Sequence, residues 1–214
     1  IPLQQLTGVQ EFMGLEFQVN EHVLIPRQDT ETLVELVLSE HKEKNISLLD
    51  VCTGSGCIAI SLAKLGGYTD VTALDLSEEA LKVARSNGEK LLDHPVKFIK
   101  SDMFSALDPE NRYDVIVSNP PYIPSQVIEG LEPEVKDHEP RMALDGEPDG
   151  LKFYRILAEE GKKYLKNGGS IYMEIGWDQA KDVTEIFEAM GFSGLRTVRD
   201  MAGNDRVVCA RKEK

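Results

Sequence analysis

LLDVCTGSGCIAI, residues 48–60, passes from an apolar run through a pair of glycines into a second apolar stretch. The pattern is strand, tight turn, helix. Gly54 and Gly56 let the backbone bend sharply and approach a ligand without Cβ interference, and Thr53 and Ser55 set hydroxyls beside them. Asp75 ends the next apolar run, where its carboxylate can accept both hydroxyls of a ribose. Asp102, in KSDMF, follows a third run and can accept from an adenine amino group, with Met103 or Phe104 packing on the ring. Ligands of alternating α/β sheets bind at the carboxyl ends of strands, so these positions belong to one pocket. Gly54-Ser55-Gly56 followed by Ala59 also satisfies GxGxxG/A with an acid about 20 positions on, the pattern of dinucleotide sites. The turn by itself leaves the cofactor open. A glycine turn without ligand is the plainer alternative, and strand, turn, helix and acid in one register weigh against it.

Strand-like runs recur at 46–51, 71–75, 96–100, 113–118 and 171–175, with helical patterns between most of them. Apolar strands alternating with helices indicate a parallel sheet covered on both faces. The clearest helix spans 77–92: Ser77 is its N-cap, Glu78 and Glu79 lie near its positive end, and Leu81, Ala84, Leu91 and Leu92 share one side. Another runs from about 30 to 41, capped by Asp29 or Thr30, with Leu33, Val34, Val37 and Leu38 as its stripe. A helix near 178–190 precedes strands around 195–198 and 206–210, joined through Gly203-Asn204 as a hairpin with an antiparallel edge. Leu15, Phe17 and Val19, alternating with Glu16 and Gln18 beside Met13-Gly14, make an earlier hairpin. The fold expected is α/β: a doubly wound, mostly parallel seven-stranded sheet with an antiparallel strand near the C-terminus, preceded by a β-hairpin.

At 214 residues, 41% hydrophobic and 29% charged, the chain can bury one sizeable core. It holds no apolar run near ~18 residues and opens on no basic-then-apolar leader, so neither a membrane span nor a signal peptide is expected, and the location expected is cytoplasmic. A net charge of −13 argues against a surface that coats nucleic acid, because such binding depends on cations at phosphates. Cys52, Cys57 and Cys209 form no CxxC pair and His22, His41, His94 and His138 are scattered; the thiols are read as reduced and no metal is expected. Residues 123–149 carry four prolines and eight carboxylates, the signature of a functional or disordered connection.

SNPPYIP, residues 118–124, ends the run Val115–Val117. Pro120 and Pro121 have no N–H to continue a ladder, so the chain must leave the sheet after Asn119 and its carbonyls are free to face a pocket. The Asn119 side-chain oxygen and the Pro120 backbone oxygen can both accept from one NH₂ group, with Tyr122 as a wall. A strand ending in a proline turn is the alternative for Pro-Pro alone; Asn, Pro, Pro and Tyr together beside the glycine turn favour an amide or amine clamp.

DVCTGSG (50–56), Asp75, SDMF (101–104) and NPPY (119–122) resemble a class I S-adenosylmethionine-dependent methyltransferase of the group that modifies planar NH₂ nitrogens. GVQEFMGLEF (8–17), VLIPRQDTETLVE (23–35), EPRMALDGEPDGLKFYR (139–155), MEIGW (173–177) and MAGNDRVV (201–208) narrow the resemblance to the HemK/PrmC family of protein-glutamine methyltransferases, which act on the GGQ glutamine of peptide-chain release factors. The similarity covers essentially the whole chain. The resemblance implies S-adenosyl-L-methionine as cofactor and S-adenosyl-L-homocysteine as product, held by Cys52, Thr53, Gly54, Ser55 and Gly56 together with Asp75, Asp102, Met103 and Asn119. It implies a release factor as partner, with its glutamine bound by Asn119, Pro120, Pro121 and Tyr122. Asn119, Pro120 and Tyr122 then act by positioning and electrostatic preorganisation, without a strong base. Arg27 either binds the substrate loop or the cofactor carboxylate, or makes an ordinary salt bridge.

Three places in the sequence depart from the family pattern. Gln28 replaces a proline, Val51-Cys52 replaces Leu-Gly and Met103 replaces an aromatic; the first two are read as tolerable in a turn. Ile1-Pro2 opens the chain without the family's N-terminal helical domain, so residues 1–28 are expected to be a hairpin and linker remnant and 29–214 the catalytic domain. Two other functions compete: methylation of exocyclic amines in DNA or RNA bases, which NPPY also serves, and a dinucleotide-dependent oxidoreductase, which leaves NPPY without a role. A binding module that has lost activity is disfavoured by the intact Asn119, Pro120 and Pro121.

Overall fold

A computed structural model describes residues 1–214. The helix α1 (Leu3–Thr7) leads into a hairpin of β1 (Val9–Phe12) and β2 (Leu15–Gln18), which turns at Met13-Gly14 as the alternation predicts. A 3-10 turn (Gln28–Thr30) opens α2 (Glu31–Glu40). The sheet follows through β3 (Ser47–Val51), α3 (Cys57–Gly66), β4 (Asp70–Asp75), α4 (Glu78–Leu91), β5 (Lys97–Lys100) and β6 (Tyr113–Ser118). Two one-turn helices, α5 (Ser125–Ile128) and α6 (Pro133–Lys136), occupy the segment after β6. The chain closes with α7 (Lys152–Tyr164), β7 (Leu165–Glu174), α8 (Ala180–Ala189), β8 (Ser193–Arg199) and β9 (Asp205–Arg211).

The seven main strands lie in the order β5-β4-β3-β6-β7-β9-β8, parallel as far as β7, with β9 antiparallel to both its neighbours. The chain order reverses between β3 and β6, which makes their carboxyl ends the switch point where such sheets bind ligands. Register keeps those ends level: Val51 faces Leu74 on one side and Ser118 on the other, and Ser118 faces Met173. Side chains alternate across the sheet, so Leu48, Val115, Val117 and Tyr172 enter the core under α2 and α3 while Leu49, Val51, Ile116 and Ile171 enter the core under α7 and α8. Each core holds 21 buried residues, which explains why the strands read as unbroken apolar runs. No helix is long and apolar enough to cross a membrane.

Ser77 caps α4 as expected, accepting from the Ala80 N–H at 3.1 Å. The cap expected for α2 is absent, because Thr30 has helical backbone angles and its hydroxyl donates to Glu174 instead. β7 begins at Leu165, well before the apolar stretch that signals it, since Leu165 pairs with Tyr113 across a register shift. Residues 123–149 are folded, which leaves the functional of the two alternatives, functional or disordered. The Ile123 N–H donates to the Leu144 carbonyl (3.0 Å), Gly146 N–H returns to the Ile123 carbonyl (2.8 Å), and Ser125 Oγ donates to Asp145 (2.6 Å). Asn87, fully buried, accepts from the Gln18 N–H (2.7 Å) and donates to the carbonyls of Gln18 (3.1 Å) and Ser55 (2.9 Å), tying the first hairpin to the glycine turn.

Gly56 holds φ +83, and a Cβ there would stand 2.9 Å from Ile60 Cδ1 and 3.2 Å from the Ala84 methyl. Its bareness lets α3 lie against α4. Gly56→Ala is therefore expected to lower stability by roughly 2 kcal/mol, strain and overpacking combined, as a reduced urea midpoint at unchanged m-value.

Candidate active site

A cavity of about 540 Å³ opens at the switch point. Its floor is the glycine turn from Cys52 to Ser55, its flanks the ends of β4 (Asp75 to Ser77) and β5 (Ser101 to Met103), and its far wall Asn119 and Pro121. Arg27 and Thr30 close it from one side and residues 140–143 from the other.

Asp75 holds the floor together. One carboxylate oxygen accepts from the Gly54 N–H at 2.8 Å and the other from the Ser77 N–H at 2.9 Å, so each keeps a lone pair for a ligand. Burial raises its pKa, opposed by these backbone bonds. Gly54, at φ +56, would point a Cβ into open space, whereas Gly56 lies behind the floor and does not line the cavity. The Thr53 hydroxyl is spent inward, on Asp50 at 2.7 Å. Ser55 Oγ is buried with no partner in the protein. Asp102 is exposed on the rim and Met103 is buried in the wall; Phe104 turns into the core and stacks on Tyr164 at 5.3 Å, which leaves Met103 as the side chain available to a ring.

At the end of β6, Ser118 Oγ donates to the Val51 carbonyl (2.7 Å) and Tyr122 Oη to Glu174 Oε2 (2.9 Å), and no side-chain bond engages the Asn119 carboxamide between them. No backbone N–H donates to the Pro120 carbonyl. Pro120 is buried and, like Tyr122, stands behind the lining, so of the two acceptors expected for one NH₂ group only Asn119 lies on the cavity wall. The reading of Tyr122 as a wall is thereby corrected: Glu174 takes its phenol and Gln179 Nε2 donates to its carbonyl at 2.8 Å. Arg27 forms an ion pair with the buried Glu139, whose other oxygen accepts from the Ile25 N–H (2.9 Å), so the salt bridge is the alternative observed at that position.

The family model described as "Methyltransferase small domain" matches residues 28–130. A release factor glutamine methyltransferase from Geobacter sulfurreducens is 43% identical over 98% of this chain and 73% of its own length. The chain belongs to the release factor glutamine methyltransferase family. Another relative of that name, from Fusobacterium nucleatum subsp. nucleatum, is 46% identical over 99% of this chain, which spans 60% of that protein. A solved structure, a release factor-specific protein-(glutamine-N5) methyltransferase from Alicyclobacillus acidocaldarius, has a TM-score of 0.54 and 32% identity, covering 92% of this chain and 100% of that one.

Within this family member, the two departures at the cavity touch each other. Cys52 (φ +66) and Met103 (φ +49) are both non-glycine residues in the left-handed region, and Cys52 Sγ lies 3.7 Å from Met103 Sδ. The family's glycine at position 52 suits that backbone; a cysteine is strained there, more than its reading as a tolerable turn residue implies. Burial raises the Cys52 pKa and keeps it a thiol.

Two partners under the site escape sequence reasoning. Asp50 is fully buried beneath the turn, one oxygen unpartnered, and burial pushes its pKa up to about 7 against the Thr53 hydrogen bond. Glu174 is buried among apolar neighbours of β7. The available signal is the same in both: an acid inside an otherwise apolar strand.

Cys52→Gly is expected to raise stability by about 1 kcal/mol through relief of backbone strain, read as a higher denaturant midpoint. A carboxyl whose folded pKa is raised stabilises most when protonated, so the contribution of Asp50 is complete below the ordinary carboxylate range and is lost as pH rises toward 7. Denaturation at stepped pH should show wild type losing stability relative to Asp50→Asn across that window.

Proposed function

We propose that this chain transfers the methyl group of S-adenosylmethionine to the side-chain amide nitrogen of the glutamine in the GGQ motif of a peptide-chain release factor. The observation that carries the reading is the Asn119 carboxamide, free of internal bonds, on the wall of the cavity whose floor is Gly54 and Asp75. The relatives named above and the selective motifs around Arg27 and Glu139 support the protein-glutamine reading over a nucleic-acid base. Release factors act in translation, so the reading implies a cytoplasmic enzyme. Residues 29–214 form the catalytic unit in this proposal, with 1–28 as the hairpin and linker that precede it.

The residues present fit the cofactor. Gly54 leaves the floor bare, Ser55 offers an unpartnered hydroxyl, and Asp75 keeps lone pairs suited to the ribose hydroxyls. Asp102 would accept from the adenine amino group and Met103 would cover the ring, a thioether being adaptable enough for that task. When bound, S-adenosylmethionine supplies a methyl group made electrophilic by its sulfonium.

An amide nitrogen is a poor nucleophile because its lone pair is delocalised into the carbonyl. Asn119 Oδ1, on the cavity wall, accepts an N–H of the substrate amide, which fixes the nitrogen and favours pyramidal geometry as the new bond forms. The Asn119 carboxamide is neutral, so the proton released on methylation passes to solvent. The rate enhancement comes from orientation and preorganised dipoles. Residues 123–149, part of which lines the cavity, would cover the bound glutamine.

Mass spectrometry of a release factor incubated with the chain and labelled S-adenosylmethionine should map one methyl to the GGQ glutamine; label in DNA or RNA instead would overturn the assignment. Asn119→Ala should reduce transfer by ~100-fold or more, the scale of a lost oriented acceptor, with calorimetric cofactor affinity within a few-fold of wild type.

A further inference from the structure

Glu174 is 3% exposed, yet both of its carboxylate oxygens accept hydrogen bonds from side chains remote in sequence. Thr30 Oγ1 donates to one and Tyr122 Oη, at 2.9 Å, to the other. Thr30 lies on the cavity wall three residues after Arg27, and Tyr122 is the last residue of the NPPY turn. The Glu174 carbonyl in turn accepts from Tyr154 Oη at 2.7 Å, fixing the strand end that presents the carboxylate. No Lys, Arg or His forms a salt bridge with Glu174; Arg206, whose charge acts on it, is bound by Asp200 at 3.0 Å and lies 3.7 Å from Asp29.

A carboxylate without a dedicated cation is an expensive group to bury, and a neutral or apolar residue would fill the same space at lower cost. What it provides is two acceptors and no donor. Thr30 and Tyr122 each bring a hydroxyl hydrogen, so the match is complete only for an acceptor-only group. With the Tyr122 carbonyl taken by Gln179, the tyrosine is held at both ends, and the turn carrying Asn119 and Pro120 has little freedom left.

We propose that Glu174 is a positioning residue: with Thr30 it holds Tyr122, and through Tyr122 it fixes the turn that sets the Asn119 acceptor on the cavity wall. This inference rests on the methyl-transfer reading above. Glu174 touches neither substrate nor cofactor in this role. Its loss should disturb the geometry of transfer and spare cofactor binding.

Glu174→Gln keeps shape but gives the two hydroxyls a donor where one of them needs an acceptor. Steady-state assays with full-length release factor should show kcat lower by about tenfold or more, the range seen when supporting shells are altered, with the cofactor dissociation constant within twofold. Tyr122→Phe should lower kcat in the same way, and Glu174→Gln combined with Tyr122→Phe should be no slower than the slower single variant. Should Glu174→Gln fail to fold, Tyr122→Phe and Thr30→Val, which remove one hydroxyl each without burying a new polar atom, decide the matter. Folded variants with kcat within twofold of wild type, or independent multiplicative losses in the double variant, overturn the inference while leaving wild-type methylation intact. Absence of any wild-type transfer overturns the functional reading and this inference with it.

Discussion

Two successive residues without amide hydrogens stand at the end of a central strand, and the site is built around that fact. β6 pairs with β3 on one side and β7 on the other up to Ser118, so a third residue able to donate would carry the ladder onward and bury its carbonyls in the sheet. Pro120 and Pro121 prevent this. The chain is forced away from the sheet beside the glycine turn, and the Asn119 carboxamide is left facing space instead of backbone. Everything else at the carboxyl edge makes that break durable: Glu174 and Gln179 grip Tyr122, and Asp145 and Leu144 hold the returning segment.

The sheet and much of the site were legible from sequence because they depend on local constraints. An apolar run with two alternating faces has few alternatives to a covered parallel strand, and Ser77 followed by two acids announces a helix wherever it falls. Glycine at position 54 and proline at 120 and 121 restrict the backbone in ways no neighbour can reverse. Long-range partners leave no such trace. Thr30 looks like a helix cap until Glu174, 144 positions away, claims its hydroxyl, and Tyr122 looks like a pocket wall until the same carboxylate, 52 positions away, turns it inward. Acidity and proline content left residues 123–149 open between a functional and a disordered segment, and single hydrogen bonds such as Ser125 to Asp145 give them form.

Strain and burial concentrate around the cavity. Cys52 and Met103 adopt left-handed backbone angles without being glycine, and Asp50 lies under the turn with an unpartnered oxygen. None of these is a stabilising choice by itself, and the two apolar cores on either face of the sheet offset them. The exposed polar contacts around the mouth, such as Arg141 with Glu129, are of the kind that contribute little to stability.

The pairing of β3 with β6 joins Leu48 to Val115, residues far apart along the chain, after two other strands have been added on the opposite flank. Contacts of such separation are slow to form because the intervening chain must first surrender its freedom. The glycine turn hangs from one of these strands and the proline turn from the other. Until β3 and β6 pair, the two halves of the site are apart, and any ligand that bridges them rewards only the paired state.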